Sequence, residues 1–157
     1  MDRVIVIGSS GQLGNDLVEV LRAADRFAVI ALDHSRIECT ELASVRQVLL
    51  PLEAQTIINC AAFVRVDDCE SLACEAFAVN AIGALNVARV AAESSAKCIY
   101  ISTDYVFDGG KDTPYIESDA PAPINVYGTS KLAGEHLVGQ AAPDWSVVRV
   151  ASLFGKT

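Results

Sequence analysis

At 157 residues, with 52% hydrophobic and 20% charged side chains, the chain is one domain of ordinary size with enough apolar material for a core, which excludes a disordered polymer. The count of 12 Lys and Arg against 20 Asp and Glu leaves a net charge of -8 with no basic stripe, so nucleic acid is not expected as a partner. The longest purely apolar run, 27–32, falls far short of the roughly 20 residues a membrane helix needs, and the few apolar residues before Gly8 are too short for a secretory leader. A cytoplasmic protein without a membrane partner is the expectation.

Taken in chain order, apolar runs of strand length alternate with helical patterns. A strand over 4–8 precedes a helix carrying Leu13, Leu17, Leu21 and Ala24 on one stripe. A strand over 28–33 follows, then a weak signal for a short strand near Ile37. Leu42, Val45, Val48 and Leu49 share a helical stripe after Thr40, the expected N-cap. The strand over 56–61 leads to a long Ala-rich helix from about residue 71 to about residue 94, with Ala73, Phe77, Ala84, Val87, Ala88 and Ala91 on its buried side. After the strand over 98–104 comes a connection from 105 to 124 rich in Gly and Pro, long enough to be functional. A helix over 125–138, its start limited by Pro121 and Pro123, and a strand over 146–151 complete the pattern. The strands show little polar alternation, as strands buried on both faces do. The alternation predicts an α/β fold: a doubly wound parallel sheet of the Rossmann type, in three α/β/α layers, as one domain over 1–157. The five cysteines, Cys39, Cys60, Cys69, Cys74 and Cys98, follow no metal-ligand spacing and are expected as reduced thiols, with no metal site.

Three features carry chemistry. The first strand ends in Gly8-Ser9-Ser10-Gly11-Gln12-Leu13-Gly14, a G-x-x-G-x-x-G turn between strand and helix whose free N–H groups and helix dipole suit a pyrophosphate. Asp33, at the end of the second strand, can accept hydrogen bonds from an adenosine ribose and would repel a 2′-phosphate, favouring NADH, whereas Arg36 would offset that repulsion and leaves NADPH open. Tyr127 and Lys131 sit four residues apart on one helix face. An ammonium there would bring the phenol's proton affinity toward neutral pH, so that Tyr127 could donate a proton to a carbonyl as hydride arrives. Thr103, at a strand end, could hydrogen-bond the substrate oxygen; Ser102 is the competing hydroxyl, but alternation turns it to the opposite face. Gly128 and Gly134 in the same helix imply close approach of a backbone or a cofactor.

These motifs, with Asn59-Cys-Ala-Ala62, Val66-Asp67, Ser102-Thr-Asp-Tyr-Val-Phe-Asp-Gly109 and Pro123-Ile-Asn-Val-Tyr-Gly-Thr-Ser-Lys-Leu-Ala-Gly-Glu135, resemble the extended short-chain dehydrogenase/reductases, and within them the dTDP-4-dehydrorhamnose reductases. The resemblance implies an NAD(P)-binding Rossmann domain and transfer of hydride from NADPH or NADH to a nucleotide-linked 4-keto-6-deoxy sugar. It places Thr103, Tyr127 and Lys131 as the catalytic group, with Asn80 a fourth member. Gly8, Gly11, Gln12, Leu13, Gly14, Asp33, Glu38, Cys39, Ala61, Ala62 and Phe63, with Tyr127 and Lys131, fall at cofactor positions, and Thr103, Asp104 and Ser152 at substrate positions. Glu38 stands where the family usually has Asp, Val64 where it has Thr, and Ser152 where it commonly has Trp. The family's chains are roughly double this length, so a cofactor-binding portion without the C-terminal substrate-binding half is expected, with an exposed apolar edge that favours a partner or a homodimer. The regulatory beta subunit of methionine adenosyltransferase is similar to the same subfamily and supplies the alternative: a cofactor-binding subunit without catalysis of its own.

Overall fold

A computed structural model of the chain describes residues 1–155. Lys156 and Thr157, the last positions of the expected domain, lie outside the described residues. The chain runs β1 (Asp2–Ile7), α1 (Gln12–Ala23), β2 (Phe27–Leu32), α2 (Leu42–Leu49), β3 (Thr56–Asn59), α3 (Val66–Ser71), α4 (Ala73–Phe77), a π-helical stretch (Ala78–Gly83), α5 (Ala84–Glu93), β4 (Lys97–Thr103), a 3₁₀ turn (Asp104–Val106), α6 (Val126–Ala141) and β5 (Trp145–Val150). The five strands pair in parallel in the order β2-β1-β3-β4-β5. The chain leaves β1 for β2 on one side and later returns to β3 on the other, so the order reverses between β1 and β3. In open α/β sheets that reversal opens a crevice at the carboxyl ends of the strands.

Hydrophobic burial follows the strand pattern on one face more fully than on the other. Ile5, Ile7, Ile57, Cys98 and Tyr100 pack with Val45 and Leu49 of α2, Val87 and Val90 of α5 and Val138 of α6 in the larger cluster. On the opposite face α1 sets Val18, Leu17 and Leu21 against Val4, Val6 and Ile58. Ile99 and Ile101 stay half-buried there, and Val148 of β5 is exposed. The strands are thus fully sandwiched at the centre of the sheet and covered on one side toward β5.

Four local expectations are corrected. No strand forms near Ile37, because the segment meets its backbone needs in turns: Asp33 Oδ1 accepts from Ser35 N at 2.9 Å, and the Asp33 carbonyl accepts from Arg36 N and Ile37 N. Ile37 is a core residue all the same. The N-cap of α2 is Glu41 rather than Thr40, since the Thr40 hydroxyl donates to Glu38 Oε1 at 2.7 Å. The long helix begins after a break at Leu72 (φ -119°, ψ 48°) and carries a π-helical stretch at its middle. The last helix runs to Ala141, beyond the expected end at 138; Asn125 caps it by accepting from Gly128 N at 2.7 Å. The continuous helical run Ala73–Glu93 is long and apolar enough to cross a membrane by length and composition, but Ala84, Val87, Ala88, Val90 and Ala91 are spent in the core.

Candidate active site

The glycine turn is shaped by contacts that leave no room for a side chain at Gly8 or Gly14. Gly8 has φ +77°, and a Cβ on it would stand 2.8 Å from the Ala61 nitrogen. A Cβ on Gly14 would collide with the Gly8 carbonyl, so the first turn of α1 is pressed onto the end of β1. α1 opens on Gly11 without a side-chain cap, which leaves first-turn N–H groups for a ligand. In front of them lies a cleft of about 420 Å³ lined by Gly8, Gly11, Asp33, Glu38, Cys39, Ala61, Ala62 and Phe63, eight of the expected cofactor positions. Ser10, His34, Ile37, Thr40, Cys60 and Val79 also line it. Of these, Ser10 was signalled by its place inside the glycine turn, whereas Val79 arrives from a distant helix and had no sequence signal. Gln12, Leu13, Gly14, Tyr127 and Lys131 are not on the cleft wall. Gln12 instead donates to the Leu153 carbonyl at 3.2 Å.

Electrostatics in this cleft are set by short local bonds. Asp33 is held below the usual carboxylate range by the Ser35 hydroxyl, with Ser35 N and the Arg36 charge adding to the effect. The Arg36 guanidinium donates to the Ala31 carbonyl at 3.0 Å, beside the same turn. The backbone and hydroxyl of Thr40 hold Glu38 low in the same way. Asn59 Oδ1 accepts from Ala61 N at 3.1 Å and bends the chain after β3 toward the cleft.

The second group gathers at the carboxyl end of β4. Thr103 Oγ1 donates to Asp104 Oδ1 at 3.1 Å and accepts from Tyr105 N at 3.2 Å. The Tyr127 phenol is half-buried, edge-on to the Tyr105 ring at 5.7 Å. Burial pushes its proton affinity up, and a hydrogen bond with Thr103 draws it partly back. Lys131 is 2% exposed. Its Nζ donates to the Ile101 carbonyl at 2.6 Å and lies 4.1 Å from the centre of the Tyr100 ring. Desolvation pulls its pKa from 10.5 down to about 7, against the opposing pull of Glu135 and Cys60. The expectation that Lys131 draws Tyr127 toward neutrality is therefore corrected: the amine is turned to β4, and the charges acting on the phenol raise its pKa. The two groups are nonetheless adjacent, since Cys60 on the cleft wall feels the Lys131 charge while burial lifts its thiol to about 11.

Asn80 is held at the edge of the site by its neighbours. It is fully buried, its Nδ2 donates to Ser130 Oγ at 2.9 Å and to the Phe63 carbonyl at 3.1 Å, and its Oδ1 accepts from Phe63 N at 2.8 Å. Both ends of the amide are engaged, tying the 61–63 segment to α6. The Asn80 carbonyl, within the π-helical stretch, accepts from Tyr100 Oη at 2.7 Å. The close approaches implied by Gly128 and Gly134 are to backbone: a Cβ at either would strike the carbonyl of Tyr105 or of Asn80.

Of the expected substrate positions, Asp104 lines a second, open cleft of about 840 Å³ with Phe107, Tyr115, Glu135 and Arg149. Ser152 is exposed, just past β5, and lines neither cleft. The connection over 105–124 is ordered by its own contacts. The Phe107 and Tyr115 rings stack at 4.1 Å, Tyr115 donates to Asp108 at 2.8 Å, and Lys111 pairs with Asp119 at 2.5 Å.

Comparison with known proteins agrees with this geometry. A family model described as "RmlD substrate binding domain" matches residues 2–157. A dTDP-4-keto-6-deoxy-D-glucose reductase of Streptomyces niveus is 41% identical over 156 residues, covering 99% of this chain and 54% of that protein. A dTDP-4-dehydrorhamnose reductase of Mycolicibacterium smegmatis is 40% identical, over 97% of this chain and 46% of its own length. The crystal structure of a dTDP-4-dehydrorhamnose reductase from Bacillus anthracis in complex with NADP superposes with a TM-score of 0.96 at 41% identity, covering 99% of this chain and 55% of that one. The chain thus spans about half the length of the curated relatives it matches.

Proposed function

Because the chain belongs to the RmlD substrate binding domain family, we propose that it is the dinucleotide-binding portion of an NADPH- or NADH-dependent reductase of a nucleotide-linked 4-keto-6-deoxy sugar, with dTDP-4-dehydrorhamnose as substrate. The observation that carries the reading is the convergence of Thr103, Tyr127 and Lys131 on the end of β4, next to a cleft walled by the glycine turn and Asp33.

The cleft fits a dinucleotide on its own chemistry: uncapped N–H groups at the start of α1, a turn with no room for a Cβ at Gly8 or Gly14, and an ionised carboxylate at the end of β2. The cofactor, when bound, supplies the hydride. Gly8, Gly11 and the first turn of α1 would hold its diphosphate, and Asp33 its adenosine ribose. Thr103 orients the substrate oxygen, and Tyr127 gives that oxygen its proton as negative charge develops there. Burial suits the phenol to this part, since it keeps the proton on Tyr127 until the reaction requires it. Lys131, at about 7, can hold a ribose as an ammonium and exchange its proton near neutral pH. Asn80 holds the Phe63 backbone and Ser130 in register with this helix turn.

Fluorescence titration with NADPH and NADH should give saturable binding. Loss of nicotinamide absorbance with dTDP-4-dehydrorhamnose should slow by about a hundredfold or more in Tyr127→Phe. Equal rates for the two proteins would remove Tyr127 from the mechanism. Tight cofactor binding with no turnover on any keto sugar, even when a relative's substrate-binding half is supplied, would instead favour the regulatory-subunit alternative.

A further inference from the structure

Lys131 shares its helix face with a second nearly buried charge. Glu135, one turn further along α6, is 8% exposed, and a carboxylate that deep persists only when paired. Its Oε1 accepts from Ser102 Oγ of β4 at 2.5 Å and from Arg149 Nε of β5 at 2.9 Å, while its Oε2 accepts from Arg149 Nη2 at 2.6 Å. Arg149 extends the arrangement outward, its guanidinium lying 4.9 Å from the Phe107 ring centre in the connection after β4. Packing alone does not call for such a pair, because a buried ion pair is often replaceable by apolar side chains at no loss of stability.

The surroundings of Lys131 suggest what the pair does. From β4 it is faced by the Tyr100 ring and the Ile101 carbonyl. From the end of β3 it is faced by the Cys60 thiol, which is neutral at pH 7, and α6 itself contributes the protonated Tyr127 phenol. Arg149 of β5 stands against Glu135. Among the described residues, the carboxylate acting on Lys131 is that of Glu135.

We propose that Glu135 is a positioning residue of the reductase site: clamped between Ser102 and Arg149, it fixes the α6 turn that carries Lys131 and supplies the counter-charge that keeps this buried ammonium available to the cofactor. The purpose of the device rests on the reductase reading; its existence does not.

The test follows the NMR shift of the Lys131 ε-carbon against pH in this chain and in three variants, with melting curves to report folding. Glu135→Gln keeps size and an acceptor but loses charge, so the Lys131 midpoint should fall by about one pH unit. Glu135→Asp should restore most of that shift, which a merely structural role would not require. Arg149→Gln leaves the carboxylate unopposed and should move the midpoint upward. An unmoved midpoint in folded Glu135→Gln overturns the proposal. Should that variant fail to fold, the absence of an upward shift in Arg149→Gln overturns it. NADPH titration of the unsubstituted chain separates the two readings, because failure to bind refutes the reductase site while the midpoint shifts still support Glu135 as the counter-charge.

Discussion

Replacing Lys131 by Met should remove a pH-dependent component of stability. In the unfolded chain a lysine keeps its proton to about pH 10.5, whereas burial brings Lys131 in the folded chain to about 7. Between those values the unfolded state binds a proton that the folded state lacks, so stability rises with pH through that window. Below about pH 7 both states are protonated and the full penalty stays constant. Each unit of difference is worth about 1.4 kcal/mol, and Lys131 starts half-titrated, so going from about pH 7 to about pH 9 gains roughly 2 kcal/mol. The Ile101 carbonyl and the Tyr100 ring both favour the ammonium, which makes that figure a ceiling. Met fills a similar volume and titrates nothing. Thiols raised by burial, Cys60 to about 11 and Cys98 to about 12, lose stability in the opposite direction, but only as pH rises past the ordinary thiol value of about 9, at the upper end of this window. Urea unfolding of both proteins across this range should show the parent gaining on Lys131→Met. Parallel stability profiles would refute the buried-amine account.

Three other outcomes follow from the same structure. Gly134→Ala drives a Cβ into the Asn80 carbonyl and should cost about 1–3 kcal/mol despite better helix propensity. Gly139→Ala meets only the half-exposed Trp145 ring, at 3.1 Å, and should be neutral or stabilising by up to about 1 kcal/mol; thermal melts compare the two, and equal losses would sink the close-approach argument. Asp33→Asn should raise affinity for NADPH relative to NADH by roughly tenfold in paired fluorescence titrations, because it removes an anion from the ribose end of the cleft. Thiol titration of the native chain should find Cys74 fast and Cys39, Cys69 and Cys98 slow until the chain unfolds, and rapid reaction of those three would contradict their burial.

The contrast between Tyr127 and Lys131 illustrates how far the sequence could be read. Their spacing placed them on one face of one helix, because i and i+4 meet by helix geometry alone. It could not say that the amine would bond a strand carbonyl 30 residues earlier, at Ile101. Asn80 is similar: its helix was legible, but its saturation by Phe63 and Ser130, 50 residues away, was not. Ser102 was correctly turned away from Thr103 by strand alternation, yet its partner on α6, Glu135, carried no local signal.

What the sequence determined by itself is everything governed by short-range periodicity and backbone sterics. Five apolar runs became five parallel strands, and the glycines at 8 and 14 could only be a turn packed against the next strand and helix. Asp33 fell at a strand end, on the cleft wall. Tertiary structure alone decided the charge states and the breaks: the neutral-range Lys131, the Glu135–Arg149 clamp, and the π-helical stretch whose Asn80 carbonyl accepts from Tyr100. The reason is physical. A side chain's proton affinity and its hydrogen-bond partners depend on which remote groups exclude water from it, and those groups meet only when the sheet closes.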